Sequence, residues 1–434
     1  MSFRGALATR NLIPPYKLFP MTRLRFDLIP LGLLYALLAF TPLARGSVQG
    51  WAVTIIQMVA LLALGIFLIE KCLTGKWAWI RTPLDKPILA LLVLCLISAV
   101  FSVHRQTSLW ASTMLITYVI IFYLVIHTVR TRNHFKHLVF LIIGMATLLA
   151  VFGLFKKFGI NPFPWWDYGD LKYIPDYLSS TYGNRNHLAG YMEMAIPLLL
   201  GLFLLDYKGG KLLLMLYLVL IMGSALILSL SRGGWVGSLI GLTFMAIVLL
   251  TNRYFAGRKL IAALAGGFVA VVLVVLASTP VVERIHSLDQ KTTVPTLKAR
   301  MTVWGGVVAM IEDYPLMGAG PGNFSTVFTQ YQPPGLLHRY TEAHNDYLHF
   351  IAEIGLPLIA VIIWMIVALY RKGFRKMQNP SRLVRGITVG AMSGITAILV
   401  HSGGDFNLHI PANALLFTVL AALVAAPLPV DNEK

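Results

Sequence analysis

Charge is what this 434-residue chain has least of: 12% of it is Asp, Glu, Lys or Arg, against 57% hydrophobic residues. A soluble domain carries about twice that charged share, so there is too little polar surface here to cover a fold in water. Mean hydropathy is +0.73, and apolar stretches long enough to cross about 30 Å of hydrocarbon recur along the chain. Acid is scarcer still. Eighteen acidic residues face 36 basic ones, a net charge of +18. That excess does not mark a nucleic-acid binder, because the basic residues lie in short segments between apolar runs and form no single stripe. Cysteine is nearly missing. Cys72 and Cys95 make no disulfide framework and have no metal-ligand spacing; Cys95, inside an apolar run, reads as a packing residue. Internal repeats, low-complexity tracts and an appended soluble domain are also lacking. Residues 1–27 hold five basic residues, and the apolar run after them ends without a small-residue cleavage site, so it reads as an uncleaved first span.

What is present is hydrocarbon-length helix. Each crossing segment must satisfy its own backbone hydrogen bonds, so the fold class expected is an all-α polytopic membrane protein with about 12 transmembrane helices. The spans run approximately over 28–44, 50–69, 87–103, 108–127, 138–155, 187–205, 211–230, 234–251, 260–278, 348–370, 384–403 and 408–426. With the N-terminus inside, the inner segments carry 24 Lys and Arg, and the short outer loops carry three. That asymmetry sets both termini in the cytoplasm. The chain then divides into an inner segment 1–27, spans 1–9 over 28–278, a large outer loop 279–347, spans 10–12 over 348–426 and a tail 427–434. A second long outer loop covers 156–186. Long loops in a compact chain are usually functional.

In the large loop, "PTLKARMTVWGGVVAMIEDYP" predicts a helix over 296–312. Arg300, Trp304, Val307 and Ile311 share one of its faces, which directs Arg300 either toward the bundle or outward to lipid headgroups. "PLMGAGPGNF" (315–324) reads as a turn before a short helix at about 322–331, with a phosphate-binding backbone nest as the other reading. "EAHNDYLHF" (342–350) crowds His344, Asn345, Tyr347 and His349 at the mouth of the tenth span. Histidine there is suited to moving a proton near neutral pH. Arg232 is the only charge in the short turn "LSLSRGGWVG" (228–237), where an arginine at membrane depth calls for an anion or a polar cavity. "TYGNRNHLAGY" adds Asn184, Arg185, Asn186 and His187 at the sixth span, which also contains Glu193. Asp405 is the only charge of "GDFN" (404–407). Arginine forks suit phosphate oxygens, and the aromatic "PFPWWDYGD" (162–170) suits sugars. No metal-binding motif lies on this side, so neither metal nor other cofactor is expected.

"TYGNRNHLAGY", "SRGGWVG" and "RMTVW…PLMGAGPGNF…EAHNDYLHFIAEIGLP", in this order and on one side, resemble the bacterial O-antigen ligase and O-antigen polymerase superfamily over roughly residues 30–425. The resemblance implies a metal-independent, inverting glycosyltransferase of the bacterial inner membrane. Its donor would be an undecaprenyl-pyrophosphate-linked glycan, its acceptor lipid A–core, and its active site would face the periplasm. His344, Arg232 and Arg300 would be catalytic. Arg185, Asn184, Asn186, His187, Asn345, Tyr347, Asp405 and Trp304 would serve substrate binding. Polymerases and protein O-oligosaccharyltransferases of the same group differ mainly in the acceptor. A polysaccharide transporter or flippase is the rival from another class; it would place polar groups near the bilayer midplane, where Glu193 is the candidate.

Overall fold

The computed structural model describes residues 28–75, 77–161, 177–205, 208–252, 254–255, 266–267, 270, 297–334 and 339–430. Among them every regular element is helical, apart from one isolated bridge between Thr131 and Val430. Eight helices run α1 (Ile29–Leu43), α2 (Gly50–Thr74), α3 (Asp85–Val100), α4 (Arg105–Thr128), α5 (Arg132–Lys157), α6 (Arg185–Leu202), α7 (Gly210–Leu228) and α8 (Arg232–Thr251). After the large loop begins come α9 (Leu297–Asp313), the single turn α10 (Phe324–Val327), α11 (Asp346–Ile354), α12 (Pro357–Lys376), α13 (Arg382–His401) and α14 (Pro411–Ala425). Eight of the described helices are long and apolar enough to cross a membrane, and the chain is a multi-pass membrane protein. Helices α1 and α14 are apolar but shorter. Of the expected ninth span (260–278) only residues 266–267 and 270 are described, and these are helical; the aromatic "PFPWWDYGD" lies outside the described residues.

The expected tenth span, 348–370, is two helices. α11 stops at Gly355, whose φ is +96°, and α12 restarts with Pro357 at its first turn. Hydropathy runs unbroken through this point, so the period hides a break that glycine and proline enforce. A Cβ on Gly355 would lie 2.2 Å from the Leu316 carbonyl oxygen, so the corner is also packed against the 315–324 turn.

α6 and α13 form the axis of the bundle. Every α6 residue from His187 to Leu202 is buried. Gly386, Gly390 and Gly394, four apart along α13, meet the α6 backbone: a Cβ at Gly390 would stand 2.6 Å from the Pro197 carbonyl oxygen, and one at Gly394 2.6 Å from that of Met194. Gly237 and Gly241 of α8 approach the α13 backbone in the same way, at 2.6 Å from the carbonyl oxygens of Ala397 and Ser393. Small residues at this spacing let helices pack backbone to backbone where hydrocarbon gives little drive for association. The consequence is a fixed register among α6, α8 and α13, and hence fixed positions for their ends.

Outside the bundle, α9, α10 and α11 share a smaller apolar core of Val303, Val307, Met310, Phe324, Phe328 and Ala352. The α9 face is the one predicted. The 315–324 turn is splinted to its neighbours: Ala319 N–H donates to Ala352 O (2.9 Å), Gly320 N–H to Glu353 O (2.9 Å), and Val103 N–H to Ala319 O (3.1 Å). Those amides are engaged, so the segment is a packed turn and not a phosphate nest.

Candidate active site

The first turns of α6, α8 and α11 meet Arg300 of α9 at one end of the bundle, around the turn that follows α13. Asp346 N–H, at the start of α11, donates to Ser402 O (2.9 Å) and Asp405 O (3.1 Å). Asn186, in the first turn of α6, donates its amide to the Asp405 carboxylate. Arg300, the fourth residue of α9, donates from Nη1 to Gly404 O. Gly233, beside Arg232 at the start of α8, lies on the His401 ring; a Cβ there would be 2.4 Å from His401 Cδ2. Helix N-termini carry partial positive charge and unpaired N–H groups, so this end of the bundle favours an anion.

Asp405 is the hub, with a side chain 2% exposed. Its Oδ1 accepts from Phe406 N–H (2.9 Å) and lies 3.3 Å from His344 Nδ1. Its Oδ2 accepts from Asn186 and lies 3.9 Å from Arg300 Nη2. Burial pushes the Asp405 carboxyl up, but the His344 hydrogen bond, the Arg300 guanidinium and nearby His401 outweigh it and hold the group below the usual carboxylate range. With Nδ1–H given to Asp405, His344 keeps its Nε2 lone pair for a proton from outside. His344 precedes the helix, with φ at +49°. A left-handed non-glycine residue of this kind costs about 1–3 kcal/mol and persists where the surroundings enforce it. Here Trp304 Nε1–H holds the Ala343 carbonyl (2.9 Å), and the His344 ring stands edge-on to Phe406 at 5.0 Å.

The structure thus brings His344 and Arg300 onto one carboxylate. Arg232 is exposed, makes no ion pair with a described residue and sits one residue from the glycine against His401. Arg185 begins α6 with its guanidinium over the Tyr177 ring at 5.1 Å. The other predicted residues build the frame. Asn184 caps α6 by accepting from Asn186 N–H (2.9 Å). Asn345 caps α11 by accepting from Leu348 N–H (3.1 Å) and donates to Gly403 O (3.0 Å). Tyr347 O–H donates to Leu399 O at 2.6 Å, and burial raises its pKa to about 12. His187 is buried with its ring edge-on to Phe406 at 4.9 Å.

Glu193 faces His401, Oε1 to Nδ1 at 3.0 Å, with both side chains fully enclosed. It begins the third turn of α6, close to the site end, and has a partner. Glu193 is thus closed off by a hydrogen-bonded partner beneath the site and does not form an open midplane station for a transported ion.

Among the described residues, one group has ligand-type atoms close enough to hold a metal: Glu342, His349 and His409. They are gathered from separate segments and no motif spacing connects them, so the sequence pattern does not single them out. Asp405, named in sequence as a substrate contact, is buried and has both oxygens engaged by protein groups.

Residues 217–363, about a third of the chain, match the family model described as O-antigen ligase. No curated protein matches the chain. The matched segment contains Arg232, Arg300 and His344, and it supports the resemblance to the O-antigen ligase superfamily, whose members are glycosyltransferase-type enzymes acting on lipid-linked glycans. Asp405 and the α6 residues fall outside the match.

Proposed function

We propose that the protein transfers a glycan from undecaprenyl pyrophosphate to a hydroxyl of lipid A–core at the periplasmic face of the inner membrane, as an O-antigen ligase does. The observation that carries this reading is the sharing of one buried carboxylate by His344 and Arg300, inside the matched segment and at the end of a membrane bundle. His344 Nε2 takes the proton of the acceptor hydroxyl. The freed oxygen pair attacks the anomeric carbon, and the bond from that carbon to the diphosphate oxygen breaks with its electrons passing to the diphosphate. Configuration inverts. Asp405 stabilises the imidazolium formed, the role a carboxylate plays behind a histidine base. Arg300 and Arg232 stabilise the charge gathering on the leaving diphosphate. Proton removal contributes about 10²–10⁴-fold, and each arginine about 10²–10³-fold if it acts as one well-placed donor. Diphosphate needs no strong acid to leave, so the chemical step calls on no metal.

The reading is tested by purified protein in detergent with a labelled carrier-linked donor and a panel of acceptors. Transfer to lipid A–core, lost in His344→Ala at unchanged abundance, is the expected result. Transfer only to a second carrier-linked glycan, or to Ser or Thr of a protein, replaces ligase with polymerase or protein transferase. An inert wild-type protein on every acceptor removes the reading and returns the transporter, which needs a sealed compartment to show its activity.

A further inference from the structure

On its far side, the segment that carries His344 meets a group of side chains that the proposed reaction does not use. Glu342, His349 and His409 each offer one ligand-type atom, and these atoms lie within 4.8 Å of one another. His349 Nδ1 is 3.2 Å from Glu342 Oε2, and His349 Nε2 is 3.4 Å from Glu353 Oε1. His409 Nδ1 is 2.6 Å from Asp346 Oδ1. The same device is therefore built twice: an imidazole is held by a carboxylate through one nitrogen and turns its other nitrogen inward. A carboxylate behind the ring fixes the tautomer and orientation of metal-binding histidines.

The carboxylates are themselves anchored. Glu353 Oε1 accepts from Phe324 N–H (3.0 Å), and Asp346 Oδ2 accepts from Leu408 N–H (2.9 Å). The rings are clamped by stacking, Phe324 on His349 at 4.2 Å and Phe350 on His409 at 4.4 Å. The inward atoms are left over. His409 Nε2 and Glu342 Oε2 are buried and have no hydrogen-bond partner among the described residues, and His349 Nδ1 is approached by the Ala343 N–H only at 3.5 Å. A carboxylate oxygen facing two imidazole nitrogens is repulsive unless a proton or a metal ion stands between them.

We propose that Glu342, His349 and His409 bind a divalent transition-metal ion of the zinc class that staples the 342–349 segment to the 407–409 turn. Two imidazoles and one carboxylate suit zinc, whereas magnesium prefers an all-oxygen shell. Ligand atoms around a tetrahedral zinc stand about 3.4 Å apart, and the His349–Glu342 pair already has that spacing. Glu342 and His409 are 30% and 20% exposed, which gives an ion its way in. His344, strained and between two of the ligands in sequence, is held in place by this ion and does not touch it. The inference does not depend on the proposed function.

The test uses the full chain, purified in detergent through a tag without histidines. Protein is loaded with Zn²⁺, dialysed and assayed for metal by mass spectrometry, and its thermal unfolding is followed with Zn²⁺, Mg²⁺ or chelator. Expected are about one equivalent of zinc, a Tm lowered by chelator and restored by Zn²⁺ but not Mg²⁺, and at least tenfold less metal in Glu342→Gln/His409→Gln. Asp346→Asn, behind His409, weakens binding about 10–100-fold. Where the double variant does not fold, Co²⁺ titration of the wild type keeps the test open, since a site of this kind gives visible bands of near-tetrahedral Co²⁺. Wild-type protein that retains under a tenth of an equivalent of zinc and ignores chelator holds the cluster with protons alone, and the proposal falls. It falls equally if the double variant keeps as much zinc as the wild type.

Discussion

Replacing Asp405 by Asn removes one charge and almost no volume, and the structure says what each lost contact does. The amide oxygen must take the Oδ1 position, because Phe406 N–H points there at 2.9 Å. The amide nitrogen then faces the Asn186 amide and the Arg300 guanidinium. Asn186 can flip its own amide and recover a bond; Arg300 has only donors and cannot. His344 keeps an acceptor for Nδ1, but a neutral one, when its ring becomes charged. A hydrogen bond to a charged group contributes about 1.5–3 kcal/mol and a neutral one about 0.5–1.5. Weakening the His344 contact removes about 1–1.5 kcal/mol, and losing the Arg300 ion pair, which at 3.9 Å is beyond hydrogen-bond reach, removes about 0.2–1 kcal/mol, so kcat/KM should fall about 10–50-fold at 1.4 kcal/mol per decade. The assay is transfer from a carrier-linked donor by detergent-purified protein, with abundance and Tm measured alongside. Because Asp405 acts through His344 and Arg300, its effect should shrink to a few-fold in a His344→Ala background, whereas independent effects would multiply. Asp405→Asn within about threefold of wild type would refute the hub, as would full multiplication of the two losses.

Arg300→Lys keeps the charge but not the fork that spans Gly404 O and the site, so kcat/KM should fall at least about tenfold; Arg232→Lys, exposed and without an ion-pair partner among the described residues, should fall less in the same assay. Asp405 also sets a pH dependence. Its carboxyl titrates below the usual range, so its stabilisation is full above the unfolded value of about 3.9 and is lost only as pH falls through the lower folded value. The Tm gap between wild type and Asp405→Asn should therefore be at least as large at pH 5 as at pH 8; the groups that face Asp405 are Arg300, His344 and His401. A gap closing by pH 5 would show an ordinary carboxyl. Transfer should proceed without added Mg²⁺ or Mn²⁺; a strict requirement for either in the transfer assay would move charge stabilisation from the arginines to a metal.

Hydropathy alone placed most of the bundle. α2 and α4 fall at 50–74 and 105–128 against expectations of 50–69 and 108–127, because a span is a local property of composition. The break at Gly355 escaped, although glycine two residues before Pro357 is a helix stop and restart; an average over apolar residues cannot see it. The glycine series at 233, 237 and 241 and at 386, 390 and 394 was also readable at a spacing of four. It decides which helices form the axis. His344, Arg300 and Asp405 each stood out singly as polar groups in an apolar chain. The resemblance grouped them in one site, but their sharing of the Asp405 carboxylate was not readable, because Asp405 pairs across 61 residues to His344 and about a hundred to Arg300. The same holds for Glu342 and His409, whose shared site depends on how the 402–409 turn folds back against α11.

A buried carboxylate at the site proposed for a diphosphate looks misplaced until the direction of each charge is followed. Both Asp405 oxygens point at donors: Phe406 N–H and His344 on one side, Asn186 and Arg300 on the other. Its charge is directed inward. Arg232 is exposed, Arg300 keeps a fifth of its side chain exposed, and His344 Nε2 is not engaged by Asp405. Glycan transfer develops two charges of opposite sign, positive on the base and negative on the leaving diphosphate. An arrangement with arginines alone would stabilise the second and oppose the first, because an imidazolium forming beside guanidinium groups is repelled. Asp405 removes that conflict by standing behind the imidazole at 3.3 Å, with Arg300 on its opposite oxygen. The base can then charge while the cations stay free for phosphate. On this reasoning Asp405→Asn must slow the reaction even though it removes a negative charge from an anion site. If Asp405 faced the diphosphate instead, the same change would tighten donor binding and lower KM.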